Sequence, residues 1–232
     1  MRKIVIALDG YSSCGKSTTA KRVASKLGYS FIDTGAMYRA VSLYFHENHI
    51  SFTNPKEIEK ALSEIHIHFE FNDKSGKSDV FLNGLNVESE IRKMYISNMV
   101  SEVSAITAVR KAMVAQQQRM GKKRGLVMDG RDIGTKVFPD AEVKIFMTAE
   151  ANIRAQRRQV ELLEKGEIVD LDDILANIKK RDLIDSTREE GPLMKAIDAT
   201  DLDTSFMTLD EQVDFVIELH DKKASELSRL NK

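Results

Sequence analysis

The chain has 232 residues, of which 42% are hydrophobic and 31% are charged. This composition is typical of a globular protein with an apolar core, and it excludes collagen-like, coiled-coil and wholly disordered chains. The 35 Lys and Arg residues nearly balance the 36 Asp and Glu residues, giving a formal net charge of -1, which argues against a dedicated nucleic-acid-binding protein because such proteins carry a basic excess.

The N-terminal segment predicts the beginning of a βαβ unit. Residues 4–8 form an apolar run that ends in Asp-Gly, as expected of a strand buried on both faces of a parallel sheet. Apolar residues at helical spacing then predict a helix over Lys16–Leu27, which Gly28 ends. Residues 31–32 indicate a second short strand, and residues 37–48 a second helix.

A different pattern follows in the middle of the chain. From residue 65 to residue 71 apolar residues alternate with polar ones, among them His66 and His68. This is the period of a half-buried antiparallel strand with both histidines facing solvent. Turn-forming residues at 72–78 and 83–84 separate it from two further short strands. We therefore predict a small antiparallel β insertion at residues 65–92.

The rest of the chain returns to alternating helices and strands. Thr107 is the expected N-cap after a helix break near residues 105–106. Thr208 and Glu211 form a capping box that begins the C-terminal helix. We predict helical segments over 90–121, 150–166 and 171–186, and strands over 126–129, 143–147 and 196–199.

The first loop carries a phosphate-binding motif. Residues 10–17 read Gly-Tyr-Ser-Ser-Cys-Gly-Lys-Ser and fit the pattern G-x-x-x-x-G-K-[ST]. The glycines let consecutive amides converge on a phosphate at the positive end of the following helix. We expect Lys16 at the β- and γ-phosphates, the Ser17 hydroxyl at Mg²⁺, and Cys14 to contribute its amide rather than a reactive thiol. The alternative is a chance match, which the strand before the motif and the helix after it disfavour.

The second strand is followed by Asp-Thr-Gly-Ala-Met-Tyr-Arg at residues 33–39. Its end shares a sheet edge with the first strand, where open α/β sheets bind ligands. Thr34 has a hydroxyl to donate there, and Arg39 has a guanidinium fork for phosphate oxygens. An ordinary helix start, with Thr34 as N-cap and Arg39 in solvent, explains these residues equally well.

The predicted strand at 126–129 ends in the sequence Asp-Gly-Arg-Asp at residues 129–132. The carboxylate of Asp129 is placed to hold the shell of a Mg²⁺ ion, and Arg131 and Asp132 are expected to project into the cleft. A charged surface turn is the alternative.

Two of the predicted helices carry arginines on a shared face. Mobile arginines neutralise the charge that spreads over a transferred phosphoryl group, although a solvated, salt-bridged face explains the same spacing. The residues concerned are Arg154, Arg157 and Arg158 on the first helix, and Arg181, Asp185 and Arg188 on the second.

In combination these segments resemble the bacterial cytidylate kinases. The resemblance rests on the phosphate loop at 10–17, on residues 33–39, on Asp-Gly-Arg-Asp-Ile-Gly-Thr at 129–135, and on the Arg-Asp-x-x-Asp-x-x-Arg pattern at 181–188. The order and spacing of these segments fit over nearly the whole chain. The family usually has Pro or a small residue at the position of Tyr11, and Ser or Ala near that of Cys14, but the glycines and Lys16 are intact.

The resemblance implies an α/β fold with a P-loop NTPase-type parallel sheet flanked by helices. It places the kinase core at residues 1–64 and 93–232, with a helical lid at about 151–170. The β insertion at 65–92 then belongs to the acceptor-nucleotide domain. The implied activity is ATP-dependent phosphorylation of CMP and dCMP, with Mg²⁺ as cofactor.

The resemblance also implies a role for each matched residue. ATP is assigned to the loop Gly10, Tyr11, Ser12, Ser13, Cys14, Gly15, Lys16, Ser17 and Thr18, and to Arg157. CMP is assigned to Thr34, Tyr38, Arg39, Ser101, Arg110, Gly130, Arg131, Asp132, Arg181, Asp185 and Arg188. The catalytic set is Lys16, Arg131, Arg154, Arg158 and Arg181, and Mg²⁺ is assigned to Ser17 and Asp129, partly through water.

Two alternative functions stay open, and the sequence also gives expectations about location and partners. The runner-up enzyme phosphorylates UMP, AMP or a non-nucleotide metabolite, and the non-enzymatic alternative is a nucleotide-binding regulatory protein with little turnover. Cys14 has no second cysteine to pair with, and the apolar run at residues 4–8 is too short for a signal peptide, so we expect a cytoplasmic protein. We expect a monomer that binds neither nucleic acid nor membrane.

Overall fold

The computed structural model describes residues 3–72 and 77–230. Its strands are β1 Val5–Gly10, β2 Ser30–Asp33, β3 Ile67–Asn72, β4 Lys77–Leu82, β5 Leu85–Asn86, β6 Leu126–Gly130, β7 Val143–Thr148 and β8 Thr200–Asp203. Its α-helices are α1 Lys16–Leu27, α2 Thr34–Glu47, α3 Pro55–Glu64, α4 Met94–Ala105, α5 Thr107–Met120, α6 Ala151–Glu164, α7 Leu171–Thr187 and α8 Leu209–Leu230. A π-helix spans Ile133–Val137. The chain divides into two compact units, Met1–Ile32 with Gln118–Lys232, and Asp33–Gln117.

The first unit is built on a five-stranded sheet in the order β2-β6-β1-β7-β8. β1 pairs in parallel with β6 and β7, and β7 pairs in parallel with β8. All six residues of β1 are buried, because helices cover both faces of such a sheet. Asp9 lies opposite Gly130, and Gly10 opposite Met147. The loops after β1, β6 and β7 therefore leave the sheet at one edge.

The core of this unit confirms the apolar patterns read from the sequence. Ile6 and Leu8 of β1 pack with Val127, Ile145 and Val216 in one fully buried cluster. The predicted strands at 4–8, 31–32, 126–129 and 143–147 are confirmed to within two residues. α1 has the predicted bounds and ends at Gly28, which has a left-handed φ of 63°.

The predicted strand at residues 196–199 is wrong. Those residues form a turn in which the Ala199 amide donates to the Ala196 carbonyl at 2.9 Å, and Ile197 is fully exposed. The strand is instead β8, in which Leu202 alone is buried. Backbone pairing with β7 holds this edge strand in place. Because the strand has no apolar run, no sequence pattern predicts it.

The second unit contains the three-stranded sheet β3-β4-β5, which is antiparallel as predicted. Ile67 lies opposite Leu82, and both are buried. His66 and His68 are exposed on the other face, as their alternation predicted. The strands lie within the predicted insertion, whose bounds stay a prediction. The turn predicted at 72–78 is too long, because Asn72 belongs to β3 and Lys77 and Ser78 belong to β4. Residues 73–76 lie outside the described residues.

Two helix starts in the second unit differ from the expected ones. α2 begins at Thr34 rather than at residue 37, because an Asp33 carboxylate oxygen accepts the Ala36 amide at 2.9 Å and makes Asp33, not Thr34, the N-cap. Thr107 is the first residue of α5, and the Ile106 carbonyl accepts the first helical bond from the Arg110 amide at 3.0 Å.

α3 was not predicted from the sequence. Ile58 and Ala61 are its buried residues, so its apolar stripe is narrow. Asn54 caps it, and Pro55 stands at its first turn, a start signal that was available in the sequence. Within residues 3–72 and 77–230, no helix is both long and apolar enough to cross a membrane.

Candidate active site

The loop after β1 forms a tight turn at the N-terminus of α1. Gly10 and Gly15 have φ values of 148° and 99°, in a region that side chains disfavour. A Cβ on Gly10 would lie 2.0 Å from the Met147 carbonyl oxygen, so no larger residue fits where β1 leaves the sheet. The backbone of the predicted phosphate loop thus requires the glycines of the motif.

Lys16 is buried within this loop at 5% exposure. Its Nζ donates to the Tyr11 carbonyl oxygen at 2.5 Å and lies 3.6 Å from Cys14 Sγ. Burial lowers the pKa of Lys16 and the charge of Arg131 lowers it further, while Cys14 and Asp129 oppose this shift. A desolvated ammonium group whose near contacts are a carbonyl oxygen and a sulfur atom is a strong site for an anion.

The structure brings Ser17 and Asp129 together, as the sequence predicted. Ser17 Oγ donates to Asp129 Oδ2 at 2.6 Å, although 112 positions separate the two residues. Ser17 and Thr18 are exposed at the first turn of α1. A hydroxyl and a carboxylate are the oxygen ligands that Mg²⁺ prefers, and Mg²⁺ commonly retains several waters beside them. The donor set therefore fits the predicted Mg²⁺ site.

Two side chains that support the loop were missed by the sequence analysis. Thr204, just after β8, donates from Oγ1 to the Cys14 carbonyl at 2.8 Å. Thr19 donates from Oγ1 to Gln212 Oε1, also at 2.8 Å. The partners are 190 and 193 positions apart, so no local pattern connects them.

Asp9 is a third missed residue, at the end of the apolar run of β1. It is 5% exposed, and its carboxylate accepts the Ile133 amide at 2.8 Å and the Gly134 amide at 2.7 Å. Burial raises the pKa of Asp9 from 3.8 to about 6, against the opposing effect of the two amide bonds. A charged residue closing a fully buried strand was the signal available in the sequence.

The arginines of the first unit that were predicted to bind CMP surround one carboxylate. Arg131 Nε donates to Asp185 Oδ2 at 2.8 Å, and Arg188 Nη1 donates to Asp185 Oδ1 at 3.2 Å. Burial tends to raise the pKa of Asp185, but Arg131, Arg188 and Arg181 hold it below its ordinary value. Burial and the like charge of Arg131 lower the pKa of Arg181 to about 10. With three arginines around Asp185, the cluster suits a multiply charged phosphate.

The predicted lid arginines on α6 make three different contacts. Arg154 Nη1 donates to the Ser12 carbonyl at 3.1 Å and to Asp182 Oδ2 at 2.7 Å. Arg157 Nη2 donates to the Thr204 carbonyl at 2.6 Å, and Arg158 pairs with a glutamate one turn on at 2.8 Å. Arg154 and Arg158 are both less than a tenth exposed, which excludes a solvated face for these two.

In the second unit, Arg39 is held by α4 and by the turn before it. Its Nη1 donates to the Ile91 carbonyl and to Ser97 Oγ, both at 3.0 Å. The solvated-arginine interpretation is wrong, because Arg39 is 8% exposed. Burial tends to raise the pKa of Asp33, at the start of α2, but the charge and hydrogen bond of Arg92, the Ala36 amide and the charge of Arg39 together hold it below its ordinary value.

The structure also brings Tyr38 and Arg110 together in the second unit. The Arg110 guanidinium carbon lies 5.3 Å from the centre of the Tyr38 ring, and Nη1 donates to the Ser104 carbonyl at 3.2 Å. Such a cation–π contact fixes the guanidinium plane. Thr34 and Ser101 are buried in the same unit, at 2% and 3% exposure.

Comparison with known proteins gives a consistent result. A family model described as cytidylate kinase matches residues 6–222. A cytidylate kinase from Cytophaga hutchinsonii is 61% identical over 227 residues, covering 98% of this chain and 97% of that protein. One from Bacteroides fragilis is 54% identical over 225 residues, covering 96% and 98%.

Among solved structures, an uncharacterized protein from Eubacterium ventriosum superposes with a TM-score of 0.51 and 13% identity, over 95% of this chain and 99% of that one. At this identity the likeness concerns the fold alone.

Proposed function

The chain belongs to the cytidylate kinase family, and from this premise we propose that it transfers the γ-phosphate of ATP to CMP and dCMP. The activity is ATP-dependent CMP phosphorylation, and what we propose is the role of each residue and the use of dCMP. The observation that carries the assignment of ATP is the glycine-cornered loop at residues 10–17, with buried Lys16 inside it and Ser17 hydrogen-bonded to Asp129.

On the ATP side, the amides of the loop and Lys16 bind the phosphates, together with Thr18 at the first turn of α1. We assign Arg157 to ATP as well. Its guanidinium donates to the carbonyl of Thr204, whose hydroxyl in turn donates to the Cys14 carbonyl of the phosphate loop. Ser17 and, partly through water, Asp129 would hold a Mg²⁺ ion, which would supply positive charge against the charge of the ATP phosphates.

The reaction has to overcome repulsion between two anions. An oxygen of the acceptor phosphate attacks the γ-phosphorus in line, and Lys16 and the arginines offset the repulsion and hold the geometry. The second pKa of the acceptor phosphate is about 6, so the attacking oxygen is largely ionised at neutral pH. For this reason we assign no general base. Arg154 and Arg158 act on the transferred group when the lid excludes water.

From the first unit, we assign Arg131 and Arg181 to the acceptor phosphate and Asp185 to the sugar hydroxyls. Arg188 is assigned to the base, and Gly130 to the same CMP-binding set. The support is the cluster itself, in which Asp185 is already held by Arg131 and Arg188 at 2.8 and 3.2 Å.

From the second unit, we assign Thr34 and Arg39 to the acceptor phosphate and Tyr38 to the face of the acceptor nucleotide. Ser101 and Arg110 take the edge of the cytosine. Their burial supports this, since buried polar side chains left unpaired by the wrong base make discrimination strong.

The choice of base follows from donors and acceptors. Cytosine presents an amine donor beside the N3 acceptor, whereas uracil presents the reverse. An ionised Asp132 accepts hydrogen bonds and does not donate them, and Arg110 donates and does not accept. This pair of side chains suits cytosine.

An acceptor panel tests the proposal. Release of ADP from ATP is measured with CMP, dCMP, UMP, AMP and GMP as acceptors, and we expect CMP and dCMP to be turned over fastest. Faster turnover of UMP would overturn the base assignment. The absence of acceptor-dependent ADP release with every acceptor would support the nucleotide-binding regulatory protein instead.

We also propose that the enzyme acts as a monomer in the cytoplasm. The lone Cys14 is buried and unpaired by any disulfide, which suits a reducing compartment. Light scattering on the purified protein measures the oligomeric state, and a mass of twice 26.2 kDa would contradict a monomer.

A further inference from the structure

The turn that carries Asp132 is held by a residue of the central strand. Asp9 uses both carboxylate oxygens for this contact: Oδ1 accepts the Ile133 amide at 2.8 Å and Oδ2 accepts the Gly134 amide at 2.7 Å. These two donors follow Asp132 directly in the chain. They are also buried, with Ile133 at 1% exposure, so solvent does not replace the carboxylate.

The two amides belong to a helix start that has no local cap. They open the π-helix Ile133–Val137, and the first amides of any helix lack intrahelical acceptors. Asp132 does not cap them with its side chain. Its carbonyl accepts the Lys136 and Val137 amides at 2.8 and 3.1 Å. The cap is therefore supplied by Asp9, 124 positions away in the chain.

Close packing fixes the turn against this carboxylate. A Cβ placed on Gly134 would lie 3.1 Å from Lys144 Cδ and 3.4 Å from Asp9 Oδ2. The backbone of the turn thus lies close to these two side chains, and an added methyl group would require one of them to shift slightly. Single π-helical turns of this kind are frequent at functional sites.

We infer that Asp9 is a positioning residue for base recognition, which holds Asp132 in place by capping the turn that follows it. The inference rests on the proposed function, in which Asp132 reads the cytosine edge. Asp9 contacts the turn rather than the nucleotide. Its loss is therefore expected to affect CMP selection before it affects ATP binding.

The test has to separate this role from an effect on the phosphate loop. Asp9 precedes Gly10, and Lys16 from α1 and Asp132 from the turn both act on its charge. The Asp9→Asn variant keeps the shape of the side chain but presents an amide donor to one of the two backbone donors. In the Gly134→Ala variant, Asp9 is unchanged, and the added methyl group crowds the contact between the turn and the side chains of Lys144 and Asp9.

We expect both variants to raise KM for CMP about 10-fold and to lower the ratio of kcat/KM for CMP over UMP about 10-fold, because small displacements of a positioning contact are costly. The dissociation constant of a non-hydrolysable ATP analogue should stay within about 2-fold of wild type, since the phosphate loop is unchanged. The matched control is Glu142→Gln. Glu142 accepts the Val5 amide at 2.9 Å at the opposite end of β1, and its substitution should leave both CMP parameters unchanged.

Each outcome decides the inference. A folded Asp9→Asn variant that loses affinity for the ATP analogue as much as for CMP would assign Asp9 to the phosphate loop and overturn it. Unchanged base discrimination in both variants would overturn it too, while wild-type CMP turnover leaves the proposed function standing. If Asp9→Asn does not fold, Gly134→Ala decides by the same measurements. A wild-type protein without CMP turnover would overturn the proposed function and the inference together.

Discussion

Lys16 shows how a single buried charge depends on its ligand. Removing an ammonium group from water is costly, and burial lowers the pKa of Lys16, yet its near contacts are the Tyr11 carbonyl oxygen and Cys14 Sγ. A polyphosphate compensates such a group far better than a carbonyl does. We therefore expect Lys16 to contribute mainly when ATP is bound rather than to the fold.

We expect Lys16→Ala to lower kcat/KM on the order of 10³-fold while the fold is retained, because one main charge on the β- and γ-phosphates is lost. Steady-state kinetics and circular dichroism measure the two effects. The control is Lys26→Ala on the same helix, where Lys26 pairs with Asp214 at 2.9 Å with both side chains largely exposed. Near-normal activity in folded Lys16→Ala would contradict the phosphate-loop role.

Asp185 contacts Arg131 and Arg188, and the role that we propose for it toward the sugar has to be separated from this contact. We expect Asp185→Ala to lower kcat/KM with both CMP and dCMP, because the arginines lose their shared partner. The loss with CMP should be about 10-fold larger. CMP has a 2′-hydroxyl, which loses the Asp185 carboxylate as hydrogen-bond acceptor, whereas dCMP has none. Kinetics with the two acceptors give the ratio, and the exposed Asp173 of α7, changed to Ala, is the control. Equal losses would remove the sugar role.

At the scale of elements, helix ends show which local signals act alone. The Thr208 amide and hydroxyl both donate to Glu211 Oε2, at 2.7 and 2.8 Å, and the Glu211 amide donates back to Thr208 Oγ1 at 3.3 Å. The capping box predicted for α8 is confirmed. It anchors a helix whose Val213 and Val216 enter the core of the first unit.

We expect Thr208→Ala to lower the free energy of unfolding by about 1 kcal/mol, because the amides at the start of α8 lose their cap. Urea denaturation measures this, and CMP turnover should not change. Ser228 on the same helix donates only to the Ala224 carbonyl one turn earlier, at 2.8 Å. Ser228→Ala should therefore stay within about 0.5 kcal/mol of wild type. A larger loss in Ser228→Ala than in Thr208→Ala would contradict the capping role.

At the scale of the whole molecule, Asp9 links stability to pH. Its pKa is raised from 3.8 to about 6 in the folded protein, so between these values the unfolded chain releases the proton while the folded protein keeps it. The contribution of Asp9 to stability therefore falls as pH rises from about 4 to about 6. At 1.36 kcal/mol per pKa unit the effect amounts to about 3 kcal/mol.

The Asp9→Asn variant lacks this titration. We therefore expect the difference in the free energy of unfolding, variant minus wild type, to increase by up to about 3 kcal/mol between pH 4 and pH 7. Urea denaturation of both proteins across this range measures the difference, and the other titrating groups cancel in the comparison. A difference that is independent of pH would show that the Asp9 pKa is not raised.

A structural feature could be predicted from the sequence when it depends on residues that are close together in the chain. The glycine loop, the Gly28 stop, the Thr208 capping box and the alternation in β3 each depend on residues within a few positions of one another, and the structure confirms them. Charged residues at strand ends were also predicted to lie at one sheet edge, because parallel strands place their carboxyl ends there. Ser17 and Asp129 meet for this reason.

Tertiary structure alone decided the rest. β8 has one buried residue and owes its conformation to pairing with β7. Asp9, Thr204 and Gln212 acquire their partners 124 to 193 positions away, and burial of Arg39, Arg154 and Arg158 distinguishes them from solvated charges of the same spacing. The sequence by itself determined the turns, caps and apolar faces, since these depend on short-range sterics and hydrogen bonds. Desolvation and contacts distant in the chain exist only once the sheet has brought its strand ends together.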